Sequence, residues 1–155
     1  MKVQIKKLHA NTTIPKQSTL LAGGWDVTVT EIIQETPDFV ICKLGFSLIP
    51  PDNYKITLVP RSSLTKTKWV VQNSPGLGDA DFREEYQFRF RCIPIDYKND
   101  FGNKNLIYEK FPYKEGERIG QIYLEEVIPI EFEEIYELKT TNRGKGYGSS
   151  GYEKL

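Results

Sequence analysis

The chain has 155 residues, the size of one domain and enough to bury a core. Hydrophobic residues make up 39% and charged residues 27%, ordinary values for a soluble globular protein. With 21 basic and 21 acidic residues the net charge is zero, which argues against a nucleic-acid polymer as partner. A small anionic ligand, held by a few placed cations, stays compatible with that balance. Cys42 and Cys92 lie far apart with no C-x-x-C, so a disulfide framework or zinc cluster is not expected. Buried thiols on strands are. His9 is the single histidine, so any metal should be a hard, oxygen-liganded ion such as Mg²⁺. No apolar run approaches the roughly 20 residues of a membrane span, and the first residues lack a signal-peptide core. These features predict a cytoplasmic protein, or a nuclear one in a nucleated host.

Taken in chain order, residues 3–7 read as a strand. Trp25, Val27 and Val29 alternate with Asp26, Thr28 and Thr30, the period of a half-buried strand. Residues 39–46 read as one strand. Ile56 and Leu58 alternate with Lys55 and Thr57. Residues 62–66 allow one short helical turn and no more. Residues 69–72 form a further strand, and Tyr86, Phe88, Phe90 and Cys92 alternate with Gln87, Arg89 and Arg91. Residues 94–112 read as a long hairpin excursion, and 118–124 and 129–136 as strands. Gly and Pro punctuate the runs, as at Pro50-Pro51, Ser74-Pro75-Gly76 and Gly116. Many short strands and no sustained helical face predict an all-β barrel or jelly roll. Composition divides the chain into a β-domain over 1–139 and a polar, Gly-rich arm over 140–155.

Four clusters and the arm carry candidate chemistry. Ala22-Gly23-Gly24-Trp25-Asp26-Val27 is a Gly-rich turn entering a strand. Pro60-Arg61-Ser62-Ser63-Leu64 sets a guanidinium beside two hydroxyls, which suits phosphate oxygens or, more blandly, a helix cap. Residues 73–83 look like a hairpin ending in carboxylates, where Asp79 and Asp81 could serve chemistry or only cap a turn. Gly116-Glu117-Arg118-Ile119-Gly120-Gln121 is a turn running into a strand.

In their order and spacing these elements resemble the five motifs of the homotrimeric dUTPase family, from about Gly23 to Gly151. The family's A-G-Y-D-L resembles Gly23-Gly24-Trp25-Asp26-Val27, and its P-R-S-G-L resembles Pro60-Arg61-Ser62-Ser63-Leu64. Its N-x-x-G-x-I-D-x-D-Y-x-G is similar to residues 73–84, and its G-x-R-I-A-Q to residues 116–121. Its Gly-rich final motif resembles residues 143–151. The resemblance implies a jelly-roll-like barrel in a three-fold trimer, with sites shared between subunits and the tail closing over a neighbour's pocket. It implies Mg²⁺-dependent hydrolysis of dUTP to dUMP and pyrophosphate, which limits uracil in DNA and supplies dUMP for dTMP synthesis. Asp79 would be the general base for water attacking the α-phosphorus. Arg61, Ser62, Ser63, Gln121, Arg143, Ser149 and Ser150 would hold phosphates. Asn73, Gly76 and Gln87 would read the uracil edge, Phe82 would stack under the deoxyribose, and Tyr147 would stack over the base. No residue would ligate the metal directly: Mg²⁺ would be held by the triphosphate and water, with Asp26 near that water.

The chain departs from the family pattern at several positions. Phe82 stands where Tyr is usual, Gly78 replaces a β-branched residue before Asp79, and Glu84 replaces a glycine. The stretch from Arg143 to Tyr147 is one residue short, so either Arg143 or Lys145 could serve the phosphates. A related fold, dCTP deaminase, shares Arg61-Ser62-Ser63 and the phenylalanine. That enzyme needs a glutamate where this chain has Arg89, and a guanidinium stays protonated. A non-catalytic nucleotide sensor or regulator is the alternative from another class.

Overall fold

The computed structural model describes residues 1–98 and 104–141. The strands are β1 (Gln4–Lys7), β2 (Trp25–Thr28), β3 (Glu31–Thr36), β4 (Phe39–Lys43), β5 (Phe46–Ile49), β6 (Tyr54–Pro60), β7 (Trp69–Val71), β8 (Gly76–Gly78), β9 (Gln87–Cys92), β10 (Ile95–Lys98), β11 (Lys104–Ile107) and β12 (Arg118–Glu126). One 3-10 turn, Ser62–Lys66, follows β6. Two four-stranded antiparallel sheets, ordered β2-β12-β6-β8 and β3-β4-β9-β7, form a jelly-roll-like barrel. The small pairs β1-β5 and β10-β11 complete it. The Gly-rich arm from 142 onward, with Arg143, Tyr147, Ser149 and Ser150, lies outside the described residues, as does the tip of the 94–112 hairpin.

The period-two reading holds best in β9. Phe88, Phe90 and Cys92 are buried, while Gln87, Arg89 and Arg91 turn outward. They meet Val40 and Cys42 of β4 in a core that also takes Val27, Leu58 and Ile119 from the other sheet. Both thiols are free and buried, and burial pushes Cys42 up to about 12, so it stays a protonated apolar group.

Some strands differ from the sequence expectation. Residues 39–46 are two strands, because Gly45 at φ +74 turns the chain between them. A side chain there would be strained and would meet the hydroxyls of Thr12 and Thr30, both of which donate to backbone carbonyls of this turn. Thr57 does not face solvent. It is 2% exposed, and its hydroxyl donates to Glu125 at 3.0 Å. In β2 the burial is shifted too: Trp25 is exposed and Asp26 is buried. β3 has no alternation to announce it. Residues 129–136 form no strand, and Ile128, Ile130, Phe132, Ile135, Tyr136 and Leu138 are all exposed. Among the described residues no strand pairs with that segment, so its strand pattern stays unused here. No helix among the described residues is long and apolar enough to cross a membrane.

Candidate active site

The predicted site residues fall into two groups in one chain. The first surrounds the segment from β7 to β9. The hairpin expected over 73–83 does not form: β8 pairs with β6 of one sheet, Leu58 opposite Gly76 and Ile56 opposite Gly78, while β7 and β9 belong to the other sheet. A pocket of about 280 Å³ opens where these strands diverge, lined by Leu58, Asn73, Gly76, Phe82, Tyr86, Gln87 and Arg89 among others. Four residues predicted to meet the nucleoside, Asn73, Gly76, Phe82 and Gln87, therefore share one cavity.

Asn73 has a defined job in building it. Its Nδ2–H donates to the Gln87 carbonyl at 3.1 Å, and its Oδ1 accepts from the Arg89 N–H at 2.9 Å. The side-chain amide thus imitates a strand partner for β9 beyond the end of β7, where the Gln72 N–H makes the last backbone bond, to Arg89. A cis peptide joins Ser74 and Pro75 in the connecting turn.

Asp79 follows β8 directly, with its side chain exposed. Its carbonyl accepts from the Phe82 N–H at 3.1 Å, and Arg83 closes the same turn by donating to the carbonyls of Ala80 and Phe82. Phe82 stands edge-on to Tyr86, with ring centroids 5.2 Å apart. The turn is held by backbone and Arg83, so the Asp79 carboxylate has no hydrogen-bond partner among the described residues.

The second group sits at the far end of β6. Arg61 Nη1–H donates to the Arg118 carbonyl at 3.1 Å, which ties the end of β6 to the start of β12. Ser62 and Ser63 open the 3-10 turn with exposed side chains and make no cap bond; Arg61 occupies the cap position. Gln121 pairs across β12 with Val59 and Asp26. Its Nε2–H donates to Asp26 Oδ1 at 3.0 Å, and Arg118 Nη1–H donates to Oδ2 at 2.9 Å. The buried Asp26 carboxylate is thus compensated by a cation and an amide, as burial of a charge requires. None of Arg61, Ser62, Ser63 and Gln121 lines the pocket.

Sequence reasoning gave no role to Arg118 or Tyr86. Arg118 carried a faint signal, a cation beside the predicted Gln121, but its pairing with Asp26 is a tertiary fact. Tyr86 read only as an inward residue of an alternating strand.

Fold and pocket define a class: a double-sheet β-barrel whose cavity is framed by two paired strands of one sheet and a strand of the other. The family model described as dUTPase matches residues 10–151. A deoxyuridine 5'-triphosphate nucleotidohydrolase of Helicobacter pylori (strain Shi470) is 32% identical over 157 residues, covering 99% of each chain. The protein of that name from Hydrogenobaculum sp. is 34% identical over 155 residues, covering 97% of this chain and 99% of that one. Among solved structures, the Staphylococcus bacteriophage 80alpha dUTPase with dUPNHPP superposes with a TM-score of 0.74 at 23% identity, covering 97% and 99% of the two chains. A variant dUTPase of phage phi11 of S. aureus, studied for its structural Mg(II) ion, gives 0.69 at 17% identity, covering 90% and 100%. These two likenesses speak to the fold. The chain belongs to the dUTPase family.

Proposed function

We infer that this chain hydrolyses dUTP to dUMP and pyrophosphate, with Asp79 as the general base. The observation that supports the reading is the shared cavity: Asn73, Gly76, Phe82 and Gln87 line one pocket, and Asp79, with an exposed carboxylate, lies in the chain segment between Gly76 and Phe82. Asp79 takes a proton from water as the water oxygen bonds to the α-phosphorus; the bond from that phosphorus to the bridging oxygen breaks, and pyrophosphate leaves. Phe82 supports the deoxyribose. The edges of β8 and β9, braced by Asn73, meet the uracil. Arg61, Ser62, Ser63 and Gln121 hold phosphate oxygens, which leaves positioning and electrostatics as the protein's task. The arm over 140–155 closes the site, bringing Arg143 or Lys145 and Ser149 and Ser150 to the phosphates and Tyr147 over the base.

The described residues contain no group of three or more His, Cys, Asp or Glu suited to a metal ion. Mg²⁺ would be held by the triphosphate and water, with Asp26 near that water, and would neutralise charge developing on the phosphates.

We further infer a homotrimer. The phosphate group and the nucleoside pocket lie apart in one chain, so a site that uses both draws them from different copies. The exposed apolar ladder over 128–138 supports the same conclusion, because such a run needs another chain to cover it. The deaminase alternative is disfavoured by Arg89, which borders the pocket where that chemistry needs a carboxylic acid. The test is product analysis: pyrophosphate release from dUTP with Mg²⁺, and no ammonia release from dCTP. Ammonia from dCTP without pyrophosphate from dUTP would overturn the reading.

A further inference from the structure

Tyr86 presents an unexplained polar atom. The residue is 3% exposed, and its hydroxyl is a buried side-chain group without a hydrogen-bond partner among the described residues. A phenol so placed loses its bonds to water and gains none, which ordinarily destabilises the fold. Phenylalanine would keep the ring and its packing and lose only that oxygen.

The backbone fixes where that oxygen points. The Tyr86 N–H donates to the Phe46 carbonyl at 3.1 Å, and its carbonyl accepts from the Leu44 N–H at 3.0 Å. The ring is then gripped between Phe46, centroids 6.1 Å apart, and the edge-on Phe82. Its far end lies over Gly78: a Cβ at that glycine would stand 2.2 Å from the hydroxyl oxygen. The next residue is Asp79. The same ring lines the nucleoside pocket. The phenol is therefore a clamped donor over the residue that precedes the base, on a side chain that lines the pocket.

We propose that Tyr86 is a positioning residue for hydrolysis, donating its buried O–H toward the Asp79 carboxylate when nucleotide fills the pocket and so holding the base in its working orientation. The proposal rests on the reading of Asp79 given above. Electrostatics agree with the geometry. Burial, reinforced by the Asp79 charge and opposed by Arg83, pushes the phenol up to about 12, so it remains a neutral donor at any working pH. Hydrogen bonds of catalytic groups often tighten only when substrate is bound, which accounts for a donor that lies over Gly78, next in sequence to the base, and stays unpaired. The bond would be charge-assisted, the strong kind.

Tyr86→Phe removes one oxygen and keeps the ring, so folding is retained. Wild type, Tyr86→Phe and Asp79→Asn are to be compared for melting temperature, for kcat and KM on dUTP with Mg²⁺, and for affinity toward a non-hydrolysable dUTP analogue. Loss of a charge-assisted hydrogen bond to the base predicts kcat lower by about ten-fold in Tyr86→Phe. KM and analogue affinity should stay within about two-fold, and the melting temperature should be equal or higher, since a buried unpaired group is gone. Unchanged kcat in Tyr86→Phe, with Asp79→Asn inactive, overturns the role of Tyr86 and leaves the base assignment standing. Raised KM and weakened analogue binding with kcat unchanged also overturn it, because the hydroxyl would then be a ligand contact. Full turnover in Asp79→Asn overturns the base assignment itself, and this proposal with it.

Discussion

The crossover segment over 73–87 and the segment after β12 are both irregular, yet one is finished within a single chain and the other is not. In the crossover, polar groups find partners locally. Asn73 braces two backbone groups of β9, Arg83 closes the turn after Asp79, and Phe82 rests on Tyr86. The segment after β12 begins with one backbone bond, from the Val127 N–H to the Asn53 carbonyl, and then runs exposed through Phe132 at 92%. Residues that pair within the chain can build a pocket; exposed apolar residues offer a surface to another chain. On the reading proposed above, Asp79 acts from one protomer and the complete site belongs to the assembly.

The largest test acts on the base. Asp79→Asn should keep the melting temperature and lower turnover by about two orders of magnitude, the scale of losing acid–base catalysis. Pyrophosphate release in steady state measures it, and near-wild-type turnover would remove Asp79 from the role. Next is the exposed segment. Changing Ile130 and Phe132 together to Asp alters no packing within the chain, because both side chains are exposed. Light scattering should shift from about three chains per particle toward one. Turnover should fall with it, by about ten-fold or more if phosphate and nucleoside groups come from different copies. An active monomer would collapse the contrast between the two regions. A smaller effect is expected at the brace: Asn73→Ala should cost about 2–3 kcal/mol by denaturant unfolding, because two backbone groups lose their partner.

Much of this was legible in the sequence, for identifiable reasons. Strands with one buried face, such as β9, announce themselves by alternation. Strands covered on both sides do not, and the burial of Thr57 depended on Glu125 arriving from β12. The run over 39–46 hides its break because Leu44 and Phe46 are both apolar around Gly45. The order and spacing of the clusters pointed to Asn73, Gly76, Phe82 and Gln87 as one site. Asp26, by contrast, shows its partners only once β2 lies beside β12, and the Tyr86 oxygen shows its isolation only once the core is closed.

The departure at Gly78 also becomes intelligible, and it yields the finest test. The resemblance sets a β-branched residue before the base, where this chain has none. The structure fills the same volume from the start of the other sheet's strand: the hydroxyl and ring carbons of Tyr86 lie 2.2–2.7 Å from where a Cβ would stand. Those atoms belong to a ring clamped by Phe46 and Phe82, so it cannot simply swing away. Gly78→Ala should therefore destabilise by about 1–2 kcal/mol through overpacking. Combined with Tyr86→Leu, which withdraws the ring, most of that penalty should vanish. A double-mutant cycle in denaturant then reads the coupling between the two positions. Additive effects would mean that Gly78 answers to something other than the ring above it, and that the volume exchange between β8 and Tyr86 is not what keeps a glycine beside Asp79.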